Sequence, residues 1–277
     1  MTLTGRVVLI TGASRGIGRA IAFRLAAHGA AIVASSSARS TDGLAETVAA
    51  IVAAGGRAEA LCCDLASSGE RDGLVARASA AFGPIDILVN NAAAIPAYAP
   101  PSRIDLAARL AGFAVNFDAP VDLIQQALPA MRERRWGRIV NLSSEMARQP
   151  PIPYPGPARL VHALTLYGAS KAALERYTLG LAAELHGSGV HVNALAPYKI
   201  ALTSGATDTA RQLGAQHPDW LEAPELMAEA AYQLISSPLT GLCICSRALL
   251  QMLQAPLHAL DGRTVIGDAG TLAAVPS

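Results

Sequence analysis

Tyr167 and Lys171 stand four residues apart near the start of "LYGASKAALERYTLGLAAEL", Leu166–Leu185, a small-residue, apolar stretch of helical period. On an α-helix that spacing puts a phenol and an ammonium on one face, one turn apart. The chemistry open to such a pair is proton transfer. A free phenol has a pKa of about 10 and is a poor base near neutrality; a neighbouring ammonium favours the phenolate and lowers that value. Hydride transfer to a ketone needs such a group, because negative charge builds on the carbonyl oxygen as the hydride arrives. A serine hydroxyl can donate to the same oxygen, and Ser143 and Ser144 of "IVNLSS" are the candidates. Lysine, with its three donors, can also reach a ribose hydroxyl. Taken alone, the pair equally fits a boundary tyrosine and a solvated lysine, so its meaning depends on what accompanies it.

A hydride must come from a nucleotide, and the N-terminal segment offers a place for one. The apolar run Arg6–Thr11 leads into "TGASRGIG", Thr11–Gly18, and then into a helical pattern. Gly12, Gly16 and Gly18 fall where a side chain would obstruct a tight turn, the approach of a pyrophosphate and close packing of helix on strand. The helix N-terminus adds free N–H groups and a partial positive charge. NAD-binding folds usually place an acid at the end of the second strand to hold the ribose 2′-hydroxyl. Here that region reads "SSSARS", Ser35–Ser40, with no acid but with Arg39, while Arg15 stands in the loop itself. Two cations and several hydroxyls suit a 2′-phosphate, so NADP(H) is the expected cofactor and NAD(H) the alternative.

These groups need a scaffold that brings strand ends and helix starts to one edge. Short apolar runs at Arg6–Thr11, Ala31–Ser35, Ala58–Cys63, Ile85–Asn90, Arg138–Leu142 and Val190–Leu195 read as buried strands. Between them lie helix patterns over Gly16–His28, Asp42–Ala54, Gly69–Phe82, Ile104–Arg134 (with a break expected near Asn116) and Leu166–His186. Further helices are expected over Pro224–Ser236 and Arg247–Gln254, with a last strand in Leu242–Ser246 between them; the tail from Ala255 has no clear pattern. The repeated β-α order predicts an α/β fold with a doubly wound sheet and right-handed crossovers. No internal repeat or linker divides the chain, so a single domain over 1–277 is expected.

In order along the chain, "TGASRGIG", "CDL" (Cys63–Leu65), "NNAA" (Asn90–Ala93), Asn116, "IVNLSS" and "YGASK" (Tyr167–Lys171) form a set. The sequence thereby resembles the short-chain dehydrogenase/reductase family in its single-domain form. The likeness covers roughly residues 4–200 and extends more weakly to about 246. It implies a Rossmann fold with a seven-stranded parallel sheet and helices on both faces, NAD(P)-dependent carbonyl or alcohol chemistry, and a homodimer or homotetramer. It further implies that Tyr167 is the acid/base, Lys171 its partner, Ser144 the group that binds the substrate oxygen, and Asn116 part of a water-linked proton path. The cofactor would be held by Gly12, Ser14, Arg15, Gly16, Ile17 and Gly18, by Ser36, Ser37 and Arg39, and by Asp64 and Leu65 at the adenine. Asn90, Asn91 and Ala92 would line its cleft, and Pro197, Ile200, Tyr167 and Lys171 would complete the contacts.

The sequence departs from that pattern at four places. Ala93 stands where the family has glycine, and Tyr198 replaces the glycine expected after Pro197. The segment between Ser144 and Tyr167 is longer than usual and includes "RQPPIPYPGPARL", Arg148–Leu160, with five prolines. "CICSRALL" stands where Asp-Gly-Gly is usual, and the closing segment is more like that of the hydroxysteroid dehydrogenase-like proteins. The expected plan is therefore an insertion loop at about 147–165, a substrate lid at about 198–223 and an extra C-terminal segment at about 247–277. The expected function is an NADP(H)-dependent oxidoreductase interconverting a ketone and a secondary alcohol, with an apolar or cyclic substrate. Epimerisation, enoyl reduction or non-catalytic cofactor sensing on the same fold are the alternatives.

Composition narrows the field. The chain has 277 residues, 52% of them hydrophobic and 4% aromatic, so Ala, Leu and Val must fill an ample core. Its 22 basic and 21 acidic residues leave a net charge of +1, without the footprint of a nucleic-acid or anionic-membrane binder. No apolar run is long enough to span a membrane, and "VVLI" near the N-terminus is too short for a signal peptide, so a cytoplasmic location is expected. Cys62, Cys63, Cys243 and Cys245 lack metal or redox spacing and read as small buried thiols on two strands. The six histidines show no ligand spacing and no metal is expected, although His162 in the insertion could lie near substrate.

Overall fold

In the computed structural model, residues 2–148, 162–201, 215 and 221–268 are described. The apolar runs form β1 (Val7–Thr11), β2 (Ala31–Ser36), β3 (Arg57–Cys62), β4 (Ile87–Asn90), β5 (Gly137–Leu142) and β6 (Val190–Ala196). After a two-residue pair, β7 (Ile200–Ala201) with β8 (Leu221–Glu222), comes β9 (Cys243–Cys245). Seven of these strands make one parallel sheet in the order β3-β2-β1-β4-β5-β6-β9. Strand order reverses between β1 and β4, which opens a crevice at the carboxyl ends of those strands.

Alternate residues of each strand enter opposite cores, as the strand period of two requires. On one face Val8, Ile10 and Ile32 pack with Ile21 and Leu25 of α1 (Gly16–Ala27) and with Met227 and Leu234 near the C-terminus. On the other face Leu9, Val33, Leu88 and Ile139 meet Leu123, Ile124 and Leu181. The helices of the first half are α2 (Thr41–Ala53), α3 (Ser68–Arg71), α4 (Leu74–Phe82), α5 (Leu106–Phe113) and α6 (Ala119–Glu133). Those of the second half are α7 (Thr165–Glu184), α8 (Pro224–Ser236) and α9 (Ser246–Met252).

Several expectations are corrected. The helix expected over 69–82 is two helices, because Gly73 takes a left-handed φ of +66° between α3 and α4. The break expected near Asn116 in the segment 104–134 is there, as a π-turn at Ala114–Asp118 between α5 and α6. β3 is largely exposed rather than buried, because it is an edge strand with a single neighbour. Cys62 is accordingly exposed, Cys243 and Cys245 are half-buried on the opposite edge, and of the four thiols Cys63 alone is buried.

The C-terminal segment, unpatterned in sequence, holds an antiparallel hairpin of β10 (Pro256–His258) and β11 (Val265–Asp268). It is fastened to the domain by a buried cluster. Arg24 Nη2 of α1 donates to Glu229 Oε2 of α8 at 2.5 Å, and His258 Nδ1 lies 3.0 Å from the same oxygen. Most of the proline-rich insertion and of the expected lid falls outside the described residues.

Candidate active site

The glycine loop has the shape of a cradle. Gly12 and Gly16 take φ of +67° and +62°, a conformation costly for any residue with a Cβ. A Cβ on Gly12 would stand 2.9 Å from Asn91 Nδ2, and one on Gly18 would collide with Gly12 O and the same amide. That amide donates to Thr11 O at 2.8 Å and to Gly12 O at 3.0 Å, while Thr11 Oγ1 accepts from Asn91 N and Ala92 N, both at 3.0 Å. The Asn91 side chain thus clamps the loop. α1 begins at Gly16, with no side-chain cap from Arg15 before it and no acid in its first turn, which leaves its leading N–H groups free for an anion.

The surrounding cofactor candidates are gathered at the same end of the sheet. Ser14 is buried and Arg15 exposed in the loop; Ile17 packs partly buried against the core. Ser36 is buried at the end of β2, Ser37 is half-buried, and Arg39 is exposed in a short 3-10 turn. Arg19, which carried no signal in the sequence, donates to Ser14 O at 3.1 Å and to Gly43 O at 2.8 Å, tying the loop to α2. Asp64 Oδ1 accepts from Ala66 N at 3.0 Å in the turn after β3, and Leu65 is buried beside it. Asn90 is buried and donates to Asn141 Oδ1 at 2.9 Å, which continues as Asn141 Nδ2 to Thr178 Oγ1 at 2.9 Å. Pro197 follows β6, and Ile200 lies on β7, where its backbone alone is described.

The chemical pair sits where α7 meets the carboxyl end of β5. Lys171 is buried, and its Nζ donates to Leu142 O at 2.7 Å and stands 5.8 Å from the centroid of the Tyr167 ring. The Tyr167 hydroxyl bonds with the Ser144 side chain. Ser144 also caps the turn Glu145–Ala147 by accepting from Met146 N at 3.2 Å. Gly168 permits this approach: a Cβ there would run into Met146 O. Ser143 points elsewhere, its hydroxyl donating to Glu175 Oε1 at 2.6 Å, so of the two serines Ser144 faces the phenol. That bond also gives Glu175 a partner that its sequence context did not suggest, whereas Tyr177 packs edge-on against Phe117.

Asn116, fully buried, accepts from Ala94 N at 2.8 Å and donates to Ala94 O at 2.8 Å and Ser170 Oγ at 3.1 Å. Ser170 in turn donates to Tyr167 O at 2.7 Å. The π-turn thus holds the loop after β4 and the first turn of α7 in register. His162 is half-buried just ahead of α7. Tyr198, expected beside the nicotinamide, presents a half-exposed ring with the Arg247 guanidinium 5.2 Å and the Lys199 ammonium 5.6 Å from its centroid.

The electrostatics correct one expectation. Burial pushes the Tyr167 phenol up to about 12, opposed by its bond to Ser144 and reinforced by Tyr98. Burial also brings Lys171 down to about 8. Desolvation of the phenol therefore outweighs any lowering by the ammonium, whose proton is directed at Leu142 O. Tyr98, the neighbour that sequence reading missed, lies in the loop after β4 and is half-exposed. Among the described residues no group of three His, Cys, Asp or Glu could hold a metal ion, and no helix is long and apolar enough to cross a membrane.

The sequence model of the family described as short chain dehydrogenase matches residues 6–214. The chain belongs to that family. This short chain dehydrogenase is 34% identical over 252 residues to the ketoacyl reductase HetN of Nostoc sp., covering 91% of this chain and 83% of HetN. It is 33% identical over 261 residues to hydroxysteroid dehydrogenase-like protein 2 of Xenopus tropicalis, covering 90% of this chain and 58% of that protein. Among solved structures, the 3-oxoacyl (acyl-carrier-protein) reductase from Agrobacterium tumefaciens C58 with NADP bound superposes with a TM-score of 0.75 at 34% identity, over 88% of this chain and 93% of that one. The protein is thus an oxidoreductase of the short chain dehydrogenase family with that family's sheet.

Proposed function

We propose that this short chain dehydrogenase reduces a ketone to a secondary alcohol with NADPH, and runs the reverse reaction with NADP+. The observation that carries the reading is the Ser144–Tyr167 hydroxyl pair beside a buried Lys171, at the same sheet edge as an uncapped, glycine-lined helix start. The cradle fits a dinucleotide: Gly12, Gly16 and Gly18 leave room for a pyrophosphate, and the first N–H groups of α1 are free to bind it. Arg15 in the glycine loop and Arg39 just past β2, both exposed, with no acid at the end of that strand, favour a 2′-phosphate. When bound, the cofactor supplies the hydride.

The chain's own residues handle the oxygen. Ser144 donates to the substrate carbonyl oxygen and stabilises the charge that develops there. Tyr167, whose phenol is protonated at neutral pH, gives the proton from its hydroxyl to that oxygen. Lys171, its ammonium buried behind the phenol, would bind the ribose hydroxyls of the cofactor. Gly168 lets the first turn of α7 lie against the Ser144 turn, and Asn116 fixes the start of that helix to the loop after β4, so that both hydroxyls meet one atom.

The ketoacyl names of HetN and the Agrobacterium enzyme make 3-oxoacyl thioesters a concrete substrate class to test beside apolar cyclic ketones. Leu106, Leu110 and Leu179, exposed on α5 and α7, favour assembly as a homodimer or homotetramer, which light scattering would read. The experiment for the cofactor is kinetic. Replacing both Arg15 and Arg39 by alanine should raise the KM for NADPH by about tenfold or more, two charge-assisted bonds being removed, and leave that for NADH unchanged. Equal effects on both cofactors would contradict the 2′-phosphate assignment.

A further inference from the structure

We infer that Glu222 is a positioning residue that holds the segment leaving β6, and through it the nicotinamide end of the cleft. The inference rests on the reading of the site as an NADP(H) site. Glu222 lies on β8 in register with Ala201 of β7 and is 5% exposed. Its Oε2 accepts from Tyr198 N at 3.1 Å and from Ser246 Oγ at 3.2 Å, its Oε1 lies 3.3 Å from the same hydroxyl, and the backbone N–H of Lys199 donates to the carboxylate as well. Tyr198 N also lies 3.2 Å from Ser246 Oγ, which closes the cluster.

The donors belong to two chain segments. Tyr198 and Lys199 follow the carboxyl end of β6, and Ser246 follows the carboxyl end of the adjacent β9. On its other side β6 pairs with β5, whose last residue supplies the carbonyl that receives the Lys171 ammonium. The carboxylate therefore staples the chain that exits beside the catalytic pair, spanning the two-residue stretch between Pro197 and Ile200. The ionised carboxylate can accept these bonds on either oxygen, whereas protonation turns one oxygen into a donor and leaves less acceptor capacity for the two main-chain N–H groups and the hydroxyl.

Burial raises the Glu222 pKa from an ordinary 4.5 to about 7, opposed by the bonds from Ser246, Lys199 and Tyr198 and by the Lys199 charge. Lys199 is the charged side chain acting on it, and Arg247 stands across the Tyr198 ring. As pH falls through that value, one oxygen gains a proton facing donors and the grip on Tyr198 and Lys199 weakens. Stability has the opposite sign. A carboxyl whose folded pKa is raised favours folding below its unfolded value, and that contribution is lost as pH rises from 4.5 through about 7. A merely structural carboxylate and a positioning one are thus separable.

The test compares the parent, Glu222→Gln and Ser246→Ala by NADPH titration and by kcat and KM between about pH 5.5 and 8.5, spanning the carboxyl's displaced pKa. In the parent, the KM for NADPH should rise on the acid side by about tenfold, the weight of one bond to a charged group, with kcat less affected. Glu222→Gln should show the raised KM throughout and lose that acid limb, while its unfolding midpoint at pH 8 is no lower than the parent's. Ser246→Ala, which removes an opposing bond, should move the limb to higher pH. An NADPH KM and pH profile unchanged in Glu222→Gln overturns the inference alone; should that variant not fold, an unmoved limb in Ser246→Ala does so. A parent that neither binds nor oxidises NADPH overturns the underlying reading, and the inference with it.

Discussion

Lys171 holds an ammonium almost wholly out of water, against a single carbonyl, and that placement has a measurable consequence. Its pKa falls from 10.5 to about 8 through burial. A base with a depressed folded pKa loses its proton in the folded state first, so between those two values the unfolded chain binds the extra proton and stability rises with pH. Urea unfolding across that range should show the parent gaining stability relative to Lys171→Met, by about 3 kcal/mol at most, each pKa unit being worth about 1.4 kcal/mol. The Tyr167 phenol titrates in both proteins and cancels in the comparison. Parallel pH profiles for the two would show that the ammonium is not desolvated. At the same residue scale, a phenol pushed up to about 12 carries its proton at neutral pH and has it to give to the oxygen in ketone reduction.

Among the elements, α7 shows how a single glycine admits a functional contact. Gly168 lies against Met146 O in the turn that Ser144 caps, and a methyl there must push the helix away from that turn. Gly168→Ala should lower kcat by about tenfold or more, since an ångström of misplacement is enough, and leave NADPH affinity within about twofold. Unchanged kcat would mean that the turn yields instead. Much of this was legible in sequence because it is local. The glycine loop, the four-residue spacing of Tyr167 and Lys171, the break at Asn116 and the alternating strands and helices each follow from neighbours in the chain. What escaped was non-local. The exposure of β3 follows from its place at the sheet edge, which no property of "RAEALC" reveals. The Ser143 partner Glu175 is 32 positions away, and the Tyr198 partner Glu222 is 24 positions away. The burial that raises the Tyr167 pKa belongs to the packed site, so a spacing rule that weighs only the nearby lysine gives the wrong direction.

Across the whole molecule, two cores on opposite faces of one sheet fix the carboxyl ends of β1, β4, β5 and β6 relative to one another, and the site occupies that edge. The fold is closed at its C-terminus by the Arg24–Glu229–His258 cluster, in which both the guanidinium and the Glu229 carboxylate are buried. Removing one partner leaves the other uncompensated, so Glu229→Ala should cost about 3–5 kcal/mol in urea unfolding, and adding Arg24→Met should restore much of that loss. A double variant no more stable than the single would assign the effect to packing instead. The central claim is that this edge passes a hydride from NADPH to a carbonyl carbon while Tyr167 protonates the oxygen. Its most direct test supplies NADPH deuterated at the transferable position of the nicotinamide, with a panel of 3-oxoacyl thioesters and cyclic ketones, and examines the product alcohol by mass spectrometry. The account predicts deuterium on the carbinol carbon with the parent, and turnover reduced at least about a hundredfold in Tyr167→Phe with NADPH binding intact. Unlabelled product, or full turnover by Tyr167→Phe, would contradict it.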